Sequence, residues 1–89
     1  MSPFDRPVLT LAGLPVGRTR RVEAVSPPAD APEWARWLAD LGFTAGEPVT
    51  VMARGFPGGD PLVVRIGAST FALRRAEADC IRLGAETAR

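Results

Sequence analysis

The chain has 89 residues, room for one small domain, and 11 basic against 10 acidic side chains leave a formal charge of +1. Every basic residue is arginine; lysine, histidine and tyrosine are missing, and Cys80 is the single cysteine. These absences argue against general acid–base catalysis near neutral pH, lysine Schiff-base chemistry, a P-loop lysine, a Cys/His zinc site and an intrachain disulfide. The near-neutral charge argues against a nucleic-acid binder, which takes most of its affinity from phosphate neutralisation. The composition predicts a non-catalytic binding module.

Residues 1–7 read as an N-terminal arm, with Asp5 and two prolines ahead of a short apolar stretch. That order does not match a secretory signal, and no apolar run reaches the roughly 18–20 residues needed to span a bilayer. The expected address is cytoplasmic. A domain over 8–84 follows, and 85–89 read as a frayed tail.

The turn Leu14-Pro15-Val16-Gly17 leads into a strand over 18–26 whose imperfect alternation predicts a bulge. A helix over about 31–41 comes next. Asp30 and Glu33 have capping-box spacing, Trp34, Trp37, Leu38 and Leu41 fall on one apolar face, and Gly42 stops it. Trp34, nearer the helix start, is expected to be the more exposed tryptophan. Three strands then follow in quick succession over 47–54, 62–66 and 69–74, the first with Val49, Val51 and Ala53 on one face. Gly67-Ala68 has the form of a type II′ hairpin turn between the last two. A helical turn over 75–79 and a strand over 80–83 complete the chain. Five short strands and one helix predict a mainly β fold, a small closed or nearly closed barrel that hides its edges.

Several clusters invite functional readings. Gly58-Gly59-Asp60 lacks the lysine and the following helix of a phosphate loop, so turn geometry explains its glycines. Arg18, Arg20 and Arg21 form the densest basic cluster, and nucleic-acid contact there is an alternative to a solvated strand end. Cys80 without a histidine partner reads as a small buried hydrophobe. Asp30, Glu33, Glu77 and Asp79 are weak carboxylate candidates for a divalent ion, better explained by capping and solvation. Trp34, Trp37, Phe43 and Phe56 are the aromatic side chains expected to meet a partner.

Leu38-Ala39-Asp40-Leu41-Gly42-Phe43-Thr44-Ala45-Gly46 resembles the L-x-x-L-G-hydrophobic-x-x-G segment of FeoA-type domains. Gly59-Asp60-Pro61-Leu62 is similar to that family's GDP-hydrophobic segment, and Phe71-Ala72-Leu73-Arg74 with Glu77-Ala78 to its ALR…EA close. With Leu14-Pro15-Val16-Gly17, these cover about residues 9–83 in the right order. The resemblance implies an SH3-like β-barrel of about five strands with one helix inserted after the first. It also implies a cytosolic accessory of ferrous iron uptake that binds and modulates the FeoB membrane transporter with its G-protein domain, at the inner membrane through that partner. With the composition, the expectation is of no intrinsic cofactor, no catalysis and no nucleic-acid partner, with a homodimer left open. The alternative within this reading is a metal-responsive module that binds Fe²⁺ or Zn²⁺ through carboxylates. One departure is the proline-rich run 26–32 ahead of the helix.

Overall fold

The computed structural model describes residues 9–86. After a 3₁₀ turn at Leu11–Gly13 come β1 (Thr19–Val25), α1 (Glu33–Leu41), β2 (Pro48–Arg54), β3 (Leu62–Ile66), β4 (Ser69–Leu73), α2 (Arg75–Ala78) and β5 (Ile81–Glu86). The five strands form one antiparallel sheet in the order β4-β3-β2-β1-β5. Their inward side chains enclose a single cluster that includes Val22, Val49, Val51, Leu62, Val64, Leu73, Ile81 and Leu83. Closure is incomplete, because β4 and β5 end the sheet and do not pair with each other.

Bulges do the bending. The β1–β5 register shifts on both sides of Val22, where the broken alternation of 18–26 predicts a bulge. A second shift corrects the expectation for β2. Val51 pairs with Val64 but Ala53 with Val63, so Met52 is an extra residue and the parity flips behind it. Ala53 is therefore exposed, unlike the buried Val49 and Val51. The β3–β4 hairpin follows its expected turn. Gly67 takes φ +57° and Ala68 is not in the left-handed region, which fits a type II′ turn and not type I′.

Helix α1 begins at Glu33 after Pro32 and has no side-chain cap. Asp30 lies in the preceding turn and does not act as the N-cap, because the first helical N–H groups bond instead to the carbonyls of Ala31 and Pro32. A side-chain contact of that kind occurs at α2, where the Arg74 backbone N–H donates to Glu77 Oε1 at 2.7 Å. The C-terminus of α1 is built as expected on left-handed Gly42, φ +115°. Leu38 is fully buried, and Trp34 and Leu41 pack against the core from its rim. Trp37, at 40% exposure, is the more exposed tryptophan, the reverse of the expected order.

Two segments exceed what the sequence predicts. β5 continues to Glu86 by pairing with Arg20, so residues 85 and 86 belong to the sheet and not to a tail; the rest of the tail, and the arm 1–7, lie outside the described residues. The apolar lead-in to the first turn seals one end of the core. Leu11 and Leu14 are buried, Leu9 accepts a hydrogen bond from the Leu83 N–H, and Thr10 bridges to Arg82.

Candidate interaction surface

Four large hydrophobic side chains are exposed among the described residues: Val16, Trp37, Met52 and Phe56. Two of them, Val16 and Met52, lie on neighbouring segments of backbone, and Phe56 follows β2 in the chain. The Gly17 N–H donates to the Val51 carbonyl at 2.8 Å, which brings the Val16–Gly17 backbone alongside that of Val51 and the exposed Met52. Arg54 then fastens the preceding segment, its Nη2 donating to the carbonyls of Ala12 at 2.7 Å and Leu14 at 3.0 Å. Phe56 follows on the loop that leaves β2 at Arg54, and it is 97% exposed. Nothing in the intramolecular packing accounts for an aromatic ring held so fully in water.

The expected four-aromatic surface is not assembled as one patch. Phe43 is completely buried, its ring 6.2 Å from that of Phe71, so it supports the core and cannot touch a partner directly. Its backbone N–H bonds to the Leu38 carbonyl while Gly42 bonds to Ala39, a Schellman motif that turns the side chain inward against Leu38. Helix α1 joins the sheet at the Pro48 end of β2, whereas the Phe56 loop leaves from its Arg54 end. Seven strand residues, about 20 Å, separate the two connections. Sequence reasoning passed over Met52 and Val16, although Met52 has the opposite parity to Val49 and Val51.

The arginine cluster is largely occupied within the fold. Arg20 donates from Nε and Nη2 to the Gly84 carbonyl at 2.9 and 2.6 Å, and Arg21 Nη1 to the Gly46 carbonyl at 2.8 Å. Guanidinium groups used as backbone clamps are not an open phosphate-binding stripe. Gly58 and Gly59 both have positive φ, as turn glycines do.

The weak carboxylate candidates do not converge. Asp30 and Glu33 flank the start of α1, Glu77 is taken up by Arg74, and Asp79 accepts from Thr10 Oγ1 at 2.8 Å. Among the described residues no group of three His, Cys, Asp or Glu side chains is placed to hold a metal. An open cleft of about 680 Å³ between the 3₁₀ turn and α2 contains Asp60 and Asp79, but the Asp60 carboxylate already accepts from the Arg75 N–H at 3.0 Å. This donor set does not fit a resident divalent ion. Cys80 is buried, with its thiol directed to the Ala76 carbonyl at 3.4 Å. Burial first, then the nearby charges of Asp79 and Glu77, push its pKa up, so it stays a neutral thiol at pH 7.

Residues 9–83 match the FeoA domain family. The chain belongs to the FeoA family. No curated protein matches it. Among solved structures, FeoA from Stenotrophomonas maltophilia in complex with zinc superposes with a TM-score of 0.78 at 39% identity, over 85% of this chain and 89% of that one. That protein is described as an SH3 domain protein and put forward as a ferrous iron transport activating factor. FeoA from Chlorobium tepidum gives 0.69 at 31% identity, over 84% of this chain and 68% of that one. A manganese-dependent transcriptional repressor in complex with manganese gives 0.73 at 26% identity, with this chain spanning 89% of itself and 37% of the repressor. The five-stranded FeoA-family sheet is thus an SH3-like fold, as the resemblance implies. No helix among the described residues is long and apolar enough to cross a membrane.

Proposed function

We propose that this FeoA-family chain is a non-catalytic accessory of ferrous iron uptake that binds the cytosolic part of a FeoB-type GTPase transporter and modulates it. Family membership across 9–83 supports the pathway, and the fully exposed Phe56 is the observation that supports recognition of a protein partner. The chain carries no histidine or lysine, and its buried thiol stays protonated, so its influence is exerted by binding. A module of this kind shifts its partner only to the extent that it binds one conformation better than another. It works in the cytoplasm, held at the inner membrane by the transporter.

The contact centres on Phe56, Met52 and Val16, with Trp37 and the half-buried Trp34 as a second contact on the helix side. Changing Phe56 and Met52 together to Ala is expected to weaken binding of the purified FeoB cytosolic portion roughly tenfold or more, the loss of a hot-spot aromatic, while leaving the thermal midpoint near that of the wild type. Titration calorimetry reads both arms, with Trp37→Ala run alongside. Unchanged affinity in the double variant would sink the Phe56 surface, and no binding by the wild type would sink the reading itself.

A second reading, direct metal response, draws on the zinc in the Stenotrophomonas maltophilia structure. The scattered and already bonded carboxylates weigh against it here. Calorimetry of the protein with Zn²⁺ or anaerobic Fe²⁺ is expected to show millimolar affinity at best. A micromolar, stoichiometric site would make the metal reading the better one.

A further inference from the structure

The open side of the sheet is β4. In a two-residue hairpin the residues flanking the turn exchange both backbone hydrogen bonds, so Ile66 bonds Ser69, and the pairs Val64–Phe71 and Leu62–Leu73 bond in turn. The N–H and C=O groups of Thr70 and Ala72 therefore point away from β3, and no described residue pairs with them. Natural edge strands are usually blunted by charge, proline or a bulge. β4 has none of these: Ser69-Thr70-Phe71-Ala72-Leu73 is uncharged and proline-free, and its register with β3 is unbroken.

We propose that β4 is a self-association edge, at which a second copy of this chain adds its own β4 antiparallel across a twofold axis at Phe71. The sequence of the edge suits a second copy, because it is complementary to itself in a twofold register. The free groups lie two residues apart, so a twofold axis through Phe71 sets Thr70 of each copy opposite Ala72 of the other and forms four backbone hydrogen bonds. Phe71 then faces its own counterpart at the close, non-hydrogen-bonded position, where aromatic cross-strand pairs are favoured. The ring is half-buried at the sheet's end and already leans on Phe43, so pairing covers its remaining surface. The same register sets Arg74 opposite Ala68 and Ser69 opposite Leu73, so no like charges meet. The open edge is short, bounded by the Gly67-Ala68 turn and by an Arg74 N–H already given to Glu77, which makes the dimer concentration-dependent.

Thr70 and Ala72 are both exposed, so they can be changed with the monomer's core intact. Sedimentation equilibrium of the wild type is expected to show the average mass rising toward that of a dimer with concentration, with slowed amide exchange at Thr70 and Ala72. Thr70→Glu combined with Ala72→Glu sets like charges opposite each other twice and is expected to weaken the dimer roughly tenfold or more. Thr70→Lys combined with Ala72→Glu makes both cross-pairs complementary and is expected to restore it. A wild type that stays monomeric to millimolar concentration overturns the proposal, as does a double-glutamate variant that dimerises like the wild type. Protection of the edge amides only on adding a different protein also overturns it.

Discussion

Replacing Phe43 by Ala is expected to remove about 3–5 kcal/mol of folding free energy, the range for deleting a fully buried phenyl ring. For a domain of this size the thermal midpoint should then fall by at least about 12 °C. The ring is fully buried, in tilted contact with Phe71, and it is also the apolar residue that completes the end of α1. Its loss leaves a cavity between the helix and β4 and removes the Leu38–Phe43 contact of the Schellman motif. Urea denaturation measures the change, and Phe43→Leu should recover more than half of it by refilling most of the volume. Any loss of partner binding in Phe43→Ala should track the unfolded fraction, because the side chain has no surface to offer. A stable Phe43→Ala with impaired binding would contradict that assignment.

How far the sequence carries the fold follows from the range of each signal. The Leu38–Leu41 stripe, Gly42 and the Gly67-Ala68 turn are local, and the structure places them as predicted. Ala53 fails because one inserted residue, Met52, reverses parity, and nothing within the strand marks the insertion; only the partner strand reveals it. Residues 84–86 continue β5 because Arg20 lies alongside, a pairing across more than sixty residues that no local pattern encodes. The 3₁₀ turn at Leu11–Gly13 is too short for any periodicity, yet it seals the core. Of the candidate surface, Phe56 is legible as an aromatic in a loop rich in proline and glycine. Phe43 looks equivalent by composition and differs only in geometry, although an apolar residue directly after a helix-ending glycine is the mark of an inward-turned side chain. Val16 comes alongside the Val51–Met52 backbone only through the Gly17–Val51 hydrogen bond, which is long-range information.

The loop that presents Phe56 depends on a close approach of backbone to backbone at its neck. Gly55 donates its N–H to the Pro61 carbonyl at 2.8 Å and accepts from the Gly59 N–H at 2.9 Å, which closes the loop at its base. A Cβ at Gly55 would overlap the Asp60 carbonyl oxygen and lie 2.8 Å from the Asp60 carbonyl carbon and 3.0 Å from Pro61 Cδ. None of these atoms belongs to the far end of a flexible side chain, so the neck itself has to open. Gly55→Ala is therefore expected to cost about 2–4 kcal/mol, from overpacking together with a weakened Gly55–Pro61 hydrogen bond. Gly58→Ala is the informative contrast. Gly58 has φ +90° but open space around its Cα, so alanine there meets only the left-handed backbone penalty, roughly 1–2 kcal/mol. Urea melts should rank the two, with Gly55→Ala the more damaging. The displacement should also reach α2, because the Asp60 side chain accepts from the Arg75 N–H, and the Arg75 amide resonance should move in Gly55→Ala and not in Gly58→Ala. Equal stability losses with an unmoved Arg75 amide would contradict the close approach at the neck as the source of the larger cost. A forced neck shifts the loop carrying Phe56, so Gly55→Ala should weaken partner binding even where the folded population is restored by lower temperature.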